Sequence, residues 1–120
     1  MEDIIAHKAD LFLLTPDFED GTFPGQRFFC RHCALVEGVL ASFPGLADHV
    51  RVHRIGFTRP RADVIALVGE ANQALPVLIL PPGSASAHGT AESQGRQFAS
   101  GTDAILAIFT ELYGIPPAHP

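Results

Sequence analysis

The sequence has no surplus of positive charge, no uninterrupted apolar run long enough to span a bilayer, no internal repeat, and only two cysteines among its 120 residues. Each shortage excludes something. A formal charge of −5 at pH 7 gives no chain-wide attraction for nucleic acid or for an anionic membrane surface, so neither is expected as a partner. Lys8 and Asp10 interrupt the apolar residues between Ile4 and Pro16. That segment therefore reads as neither a signal-peptide core nor a membrane span, and a cytoplasmic location is expected. In a reducing compartment a close pair of cysteines reads as catalytic, redox-sensing or metal-binding more readily than as a structural staple.

What is present suits one domain. A hydrophobic fraction of 47% over 120 residues is enough for one sizeable core, and a single domain is expected over residues 1–120. Leu11 to Thr15 is a short apolar run closed by Pro16 and Asp17, which predicts a buried strand followed by a long loop containing Gly21, Pro24 and Gly25. From Cys30 the spacing of Leu35, Val36, Val39, Leu40 and Phe43 predicts an amphipathic helix that ends at Pro44 and Gly45. Val50 and Val52 alternate with Arg51 and His53 as in a half-buried strand, although Arg54 and Ile55 shift the phase.

Pro60 can open a second helix burying Val64, Ile65, Leu67 and Val68 before Gly69, and Val77 to Leu80 reads as a wholly apolar strand. Pro81 to Gly95, rich in Gly, Ser and Ala, reads as an exposed mobile loop, and Arg96 to Ala99 as an edge strand. Ser100 or Thr102 can cap a last helix that buries Ile105, Ile108, Phe109 and Leu112 and stops at Gly114, Pro116 and Pro117. The predicted order is βαβαββα, a mixed four-stranded α/β sheet covered by helices. Helical crossovers imply parallel pairing, and the helix-free link from third to fourth strand allows an antiparallel pair.

Cys30 and Cys33 open the first helix in the run Phe28-Phe29-Cys30-Arg31-His32-Cys33. Residues three apart on a helix have Cβ atoms roughly 5–6 Å apart, so a disulfide is geometrically available. It would close a loop of only about four residues, for which chain entropy gives roughly 2 kcal/mol against nearly 5 for a loop of about a hundred. Stabilisation is a weak reason for the pair, and reactivity is a better one. A thiol at a helix N-terminus faces unpaired N–H groups and the positive end of the macrodipole, which favour thiolate. Arg27, Arg31 and His32 add nearby positive or potentially positive charge. Cys30 is then the attacking thiol and Cys33, one turn inward, the resolving one. Two inert cysteines that happen to be close are the bland alternative.

The element order, the pair Cys30-Arg31-His32-Cys33 opening the first helix, and Leu75-Pro76-Val77 ahead of the third strand together resemble the thioredoxin and glutaredoxin superfamily. The resemblance implies a thioredoxin-like fold and a cis-proline loop, with Leu75 and Pro76 beside the redox pair. It also implies a small-molecule or protein thiol or disulfide as substrate, with glutathione as a possible co-substrate and no other cofactor. Ser100 to Ile105 resembles the helix start that contacts glutathione in that superfamily, which puts Thr102 and Asp103 in a binding role; a plain N-cap with an acidic first turn explains the same residues. The link from Pro16 to Phe29 is longer than usual there, which bears on the exposure of Cys30. At finer grain, Pro24-Gly25-Gln26-Arg27-Phe28, the cysteine motif and Gly38-Val39-Leu40-Ala41-Ser42-Phe43-Pro44 resemble a bacterial group of thioredoxin-like proteins of unknown function over nearly the whole length.

Two other classes stay open. Cys30, Cys33, His49 and His53 read as C-x2-C-x15-H-x3-H, within zinc-site spacing. Four residues of strand span roughly 13 Å, however, whereas two nitrogens on one zinc must each lie about 2 Å from it. His7, His88 and His119 have no mutual spacing that adds a ligand. The other class is a redox sensor or binding protein that carries the same pair without turnover.

Overall fold

The computed structural model describes residues 8–120. Its elements are β1 (Ala9–Leu14), β2 (Phe18–Glu19), β3 (Arg27–Phe28), α1 (Arg31–Ser42), β4 (Val50–Ile55), α2 (Ala62–Val68), β5 (Val77–Ile79), β6 (Ala91–Ser93), β7 (Arg96–Ser100) and α3 (Thr102–Tyr113), with a 3-10 turn over Pro44–Asp48 between α1 and β4. Five strands form a mixed sheet in the order β4-β1-β5-β7-β6, and β2 and β3 pair as a separate small hairpin.

The sheet thus has one strand more than the four expected, and the expected edge strand lies inside it. Gln94 and Gly95 both take positive φ, 52° and 80°, and join Ser93 to Arg96 across the β6–β7 pair. Two consecutive positive φ values give the backbone twist that closes a tight hairpin, so part of the expected loop becomes the edge. The rest is tethered: the Ser86 N–H donates to Gln97 Oε1 at 2.8 Å and its hydroxyl meets Glu111 Oε1 at 2.5 Å.

α1 carries the chain from β1 to β4, which pair in parallel from Ala9↔Val50 to Leu14↔Ile55. The second helical link differs from expectation. β5 lies on the other side of β1 and runs antiparallel to it, because the chain re-enters the sheet at the end it left. A seven-residue α2, about 10 Å long at 1.5 Å per residue, does not return it to the opposite end. The expected antiparallel partner of β5 is present as β7.

Both faces of the sheet are covered, and alternation sorts the side chains between them. Ala9, Leu11 and Leu13 join Cys33, Val36, Ile105, Ile108 and Phe109 in one core; Phe12 joins Val64, Val68, Val77, Ile79 and Phe98 in the other. β4 obeys the same rule without a break. Val50 and Val52 face the first core, Ile55 faces the second, and Arg54 meets Glu37 on α1. The phase shift in its sequence comes from two apolar faces, not from an irregular strand. Leu35 is 50% exposed and Leu112 37%, outside the buried faces expected for them, which centre on Cys33 and Val36 in α1 and on Ile105, Ile108 and Phe109 in α3.

Gly101, not Ser100 or Thr102, occupies the N-cap of α3, at φ 96° and ψ 153°. That conformation is open to glycine and costly for an L side chain. Among the described residues, no helix is long and apolar enough to cross a membrane.

Candidate functional site

Cys30 is the N-cap of α1, with extended backbone and a sulfur that accepts the Cys33 N–H at 3.1 Å. It fills the position in which a Ser or Asp oxygen commonly satisfies an orphan amide. There a sulfur faces the partial positive charge of the helix end, the environment in which negative charge is best tolerated. Cys30 is partly exposed and Cys33 is 3% exposed. The Cys33 sulfur accepts the Leu14 N–H at 3.4 Å, which pins the first turn of α1 to the C-terminal end of β1. Burial pushes the Cys33 thiol up to about 12, with neighbouring Cys30 adding to the effect and the Leu14 N–H opposing it. The two free thiols therefore differ in kind: one reaches solvent at a helix terminus, and the other stays protonated behind it.

The Leu75–Pro76 peptide is cis, as the resemblance implies. Its place follows from register. Phe12 pairs with Val77 across antiparallel strands, so Leu75 and Pro76 run alongside Leu13 and Leu14, the residue whose N–H holds Cys33. Leu75 and Cys30 both pack against the core cluster that contains Cys33. The Pro76 carbonyl accepts the Gly101 N–H at 3.1 Å, while among the described residues the Leu75 backbone makes no backbone hydrogen bond. Thr102 and Asp103 follow Gly101 at the start of α3. Asp103 is exposed and the Thr102 hydroxyl is buried without a partner among the described residues.

The cations expected around Cys30 are not equal. Arg27 is engaged elsewhere, by Asp17 at 2.6 Å and Glu19 at 4.0 Å across the β2–β3 hairpin, so its charge is already answered. Arg31 and His32 stand exposed on the first turn of α1. The long link folds as that hairpin, with Phe18 stacked on Phe57 at 4.7 Å, and it leaves Phe29, 67% exposed, immediately before Cys30.

A cavity of about 420 Å³ opens beside both sulfurs, between Leu14, Pro16, Phe29 and Ala34. Its polar end is the Glu37–Arg54 pair, joined by two hydrogen bonds of 2.7 Å, which hold the Glu37 carboxyl below its usual range. That volume is within the range of small-ligand sites.

The zinc alternative gathers no support from geometry. The thiols lie at the C-terminal ends of β1 and β4 on the α1 face. His49 precedes β4 at its other end and stacks on Tyr113 at 4.7 Å. His53 points to the α2 face, stacked on Phe12 at 4.5 Å with Nε2 2.8 Å from Asp10. Sheet length separates one histidine from the thiols and sheet thickness separates the other. Among the described residues no group of three or more His, Cys, Asp or Glu is placed to hold a metal.

Two charged groups escaped the sequence reading. Asp10, 6% exposed, collects Arg51, His53 and Arg96 from β4 and β7 at 2.8–3.1 Å. Burial alone raises its carboxyl pKa, but these hydrogen bonds outweigh it and the net shift is downward. A charge inside an otherwise apolar strand was the available signal. Arg61, 7% exposed, gave none, since an arginine after a proline at a helix start reads as surface.

Fold and site together define a mixed α/β protein with two free thiols at the N-terminus of its first helix. The chain belongs to the family described as Protein of unknown function (DUF3088), whose model matches residues 8–117. No curated protein and no solved structure matches it.

Proposed function

We propose that this chain is a thiol–disulfide oxidoreductase of thioredoxin-like fold, with Cys30 as the attacking thiol and Cys33 as the resolving one. The observation that carries the reading is the asymmetry of the pair: an accessible sulfur capping a helix beside a buried, protonated one. The thioredoxin-like reading is supported by the parallel β1–α1–β4 unit, by β5 running antiparallel to β1 behind a cis proline, and by the closing β7 and α3.

In the forward direction the Cys30 thiolate attacks one sulfur of a substrate disulfide. The substrate S–S bond breaks, a mixed disulfide forms, and the first thiolate leaves. Cys33 passes its proton to a leaving thiolate and attacks the Cys30 sulfur, releasing the second substrate thiol and leaving a Cys30–Cys33 disulfide. Two electrons move from protein to substrate, and two molecules of a low-molecular-weight thiol such as glutathione return them by exchange with the Cys30–Cys33 disulfide, leaving as their own disulfide. Leu75, with free backbone groups beside the thiols, suits pairing with an extended thiol substrate. Arg31, His32, Thr102 and Asp103 are the remaining candidates for contacts to its polar groups, and the cavity between Phe29 and Arg54 suits its apolar body.

Iodoacetamide labelling of the reduced protein, with the modified residue mapped, should find Cys30 first, and mild oxidation should link the pair. Turnover of a small aliphatic disulfide with glutathione should vanish in Cys30→Ser. In Cys33→Ser a mixed disulfide should accumulate. Faster labelling of Cys33 overturns the assignment of roles. A pair that oxidises readily but turns over neither a small disulfide nor a protein disulfide favours a sensor.

A further inference from the structure

Among the described residues, Arg61 is a buried cation with no carboxylate to answer it. Arginine is almost never fully buried unless paired, and Arg27, Arg51, Arg54 and Arg96 each meet an acid within 4.0 Å. Arg61, which precedes α2, meets none among the described residues. Instead its guanidinium donates from Nε and Nη2 to the Phe57 carbonyl at 3.1 and 2.5 Å and from Nη1 to the Gln73 carbonyl at 2.7 Å, and it lies 5.5 Å from the Phe57 ring centre. Carbonyl dipoles orient a guanidinium and solvate it, but they leave its charge whole.

The two segments that it clamps both lie at the thiol end of the sheet: Phe57 follows Ile55, which pairs with Leu14, the residue whose N–H holds the Cys33 sulfur. Gln73 stands two residues ahead of Leu75, and the Phe57 ring packs on the core cluster that contains Cys33 and supports Cys30 and Leu75. Among the groups lining the thiol cavity, Glu37 is bound to Arg54 and Cys33 stays protonated, which leaves Cys30 as the one that can carry an unanswered negative charge. Burial and the like charge of Arg59 lower the Arg61 pKa, while both thiols act in the opposite direction. We propose that Arg61 is the fixed countercharge of the Cys30 thiolate, and so a positioning residue for thiol exchange; this rests on the redox reading above.

Other charges near the pair are weaker candidates. On α1, Arg31 and His32 are exposed to screening water and Glu37 is bound to Arg54. On the β4–α2 side, Arg59 and Asp63 are exposed. Arg27 is held by Asp17. The coupling is reciprocal. Forming the Cys30–Cys33 disulfide removes the anion and leaves Arg61 unanswered, so Arg61 favours the reduced pair and makes the disulfide a stronger oxidant.

The test compares wild type, Arg61→Met, which keeps the stem and loses the charge, and Arg61→Lys, which keeps a charge and loses the fork. Fold is checked by circular dichroism, and the pH profile of Cys30 alkylation and the equilibrium with a glutathione redox buffer are measured. Arg61→Met should move the alkylation midpoint upward by about half a pH unit or more, a roughly threefold loss of thiolate below the midpoint, and make the disulfide harder to reduce. Arg61→Lys should recover most of both. An unchanged midpoint in folded Arg61→Met, or equal shifts in both variants, overturns the proposal. If neither variant folds, nitrogen-15 NMR of the wild type decides: the Arg61 Nε resonance should titrate with Cys30 and stop doing so in Cys30→Ser, and a resonance indifferent to Cys30 overturns it. Absent turnover with an Arg61-dependent midpoint counts against the oxidoreductase reading alone; normal turnover with no such dependence counts against this one.

Discussion

Burial keeps the Cys33 thiol protonated well above the pH at which a free cysteine ionises. Because its folded-state pKa is raised, from 9.0 to about 12, the neutral thiol's contribution to stability is whole below about pH 9 and is lost as pH climbs towards 12. The limiting slope for one group is about 1.4 kcal/mol per pH unit. Denaturant midpoints of the reduced protein and its disulfide form, followed from pH 8 to pH 11, should therefore diverge, with the reduced form falling faster. Tyr113, whose pKa burial also raises, titrates in both forms and cancels from the difference. Parallel curves would show that Cys33 is not held as a buried neutral thiol.

The β6–β7 hairpin turns at the end of the sheet opposite the thiols, since β7 runs from Arg96 towards the α3 start at Gly101, whose N–H holds Pro76. Gly95→Ala places a side chain at φ 80° and should cost about 1 kcal/mol in a denaturant melt. Alkylation of Cys30 should not change, and a changed rate would contradict the separation of turn and site. At the same scale, β4 shows why linear spacing says little about convergence: its length sets His49 apart from the thiol end, and its alternation turns His53 to the face opposite the thiols.

Across the whole molecule, Asp10 ties β1 to β4 and β7 through three donors on one side of the sheet. Asp10→Asn leaves Arg96, with a side chain only 15% exposed, without its anion. The expected loss at neutral pH is about 3 kcal/mol, the lower end for a broken buried pair because Arg51 and His53 reach water. The lowered Asp10 pKa fixes the sign of the pH effect. Its stabilisation is present above the ordinary carboxylate range and disappears as pH falls through the folded value, so the gap between wild type and Asp10→Asn should close in acid. Urea melts of both proteins at pH 7 and below pH 3 measure this, and a gap that stays constant would assign the loss to packing.

The three helices and the strands β1, β4, β5 and β7 were legible in the sequence because local rules write them: apolar runs, period-two and period-3.6 spacing, and prolines and glycines at the ends of elements; the short strands β2, β3 and β6 lay in segments that read as loops. The cysteine pair was legible as well, since three-residue spacing at a helix start is itself a local property. The turn at Gln94 and Gly95 was local too, but polar neighbours hid it among loop residues. Pairing was not local. The antiparallel run of β5 beside β1, the sheet face and end on which each histidine stands, and the carboxylate that takes Arg27 all depend on segments brought together from distant positions. The same holds for Arg61, whose burial between Phe57 and Gln73 appears only when two loops meet. Sequence determined which residues could carry chemistry; tertiary structure decided which charges remained unanswered there, because electrostatic compensation depends on distance in space and on exclusion of water.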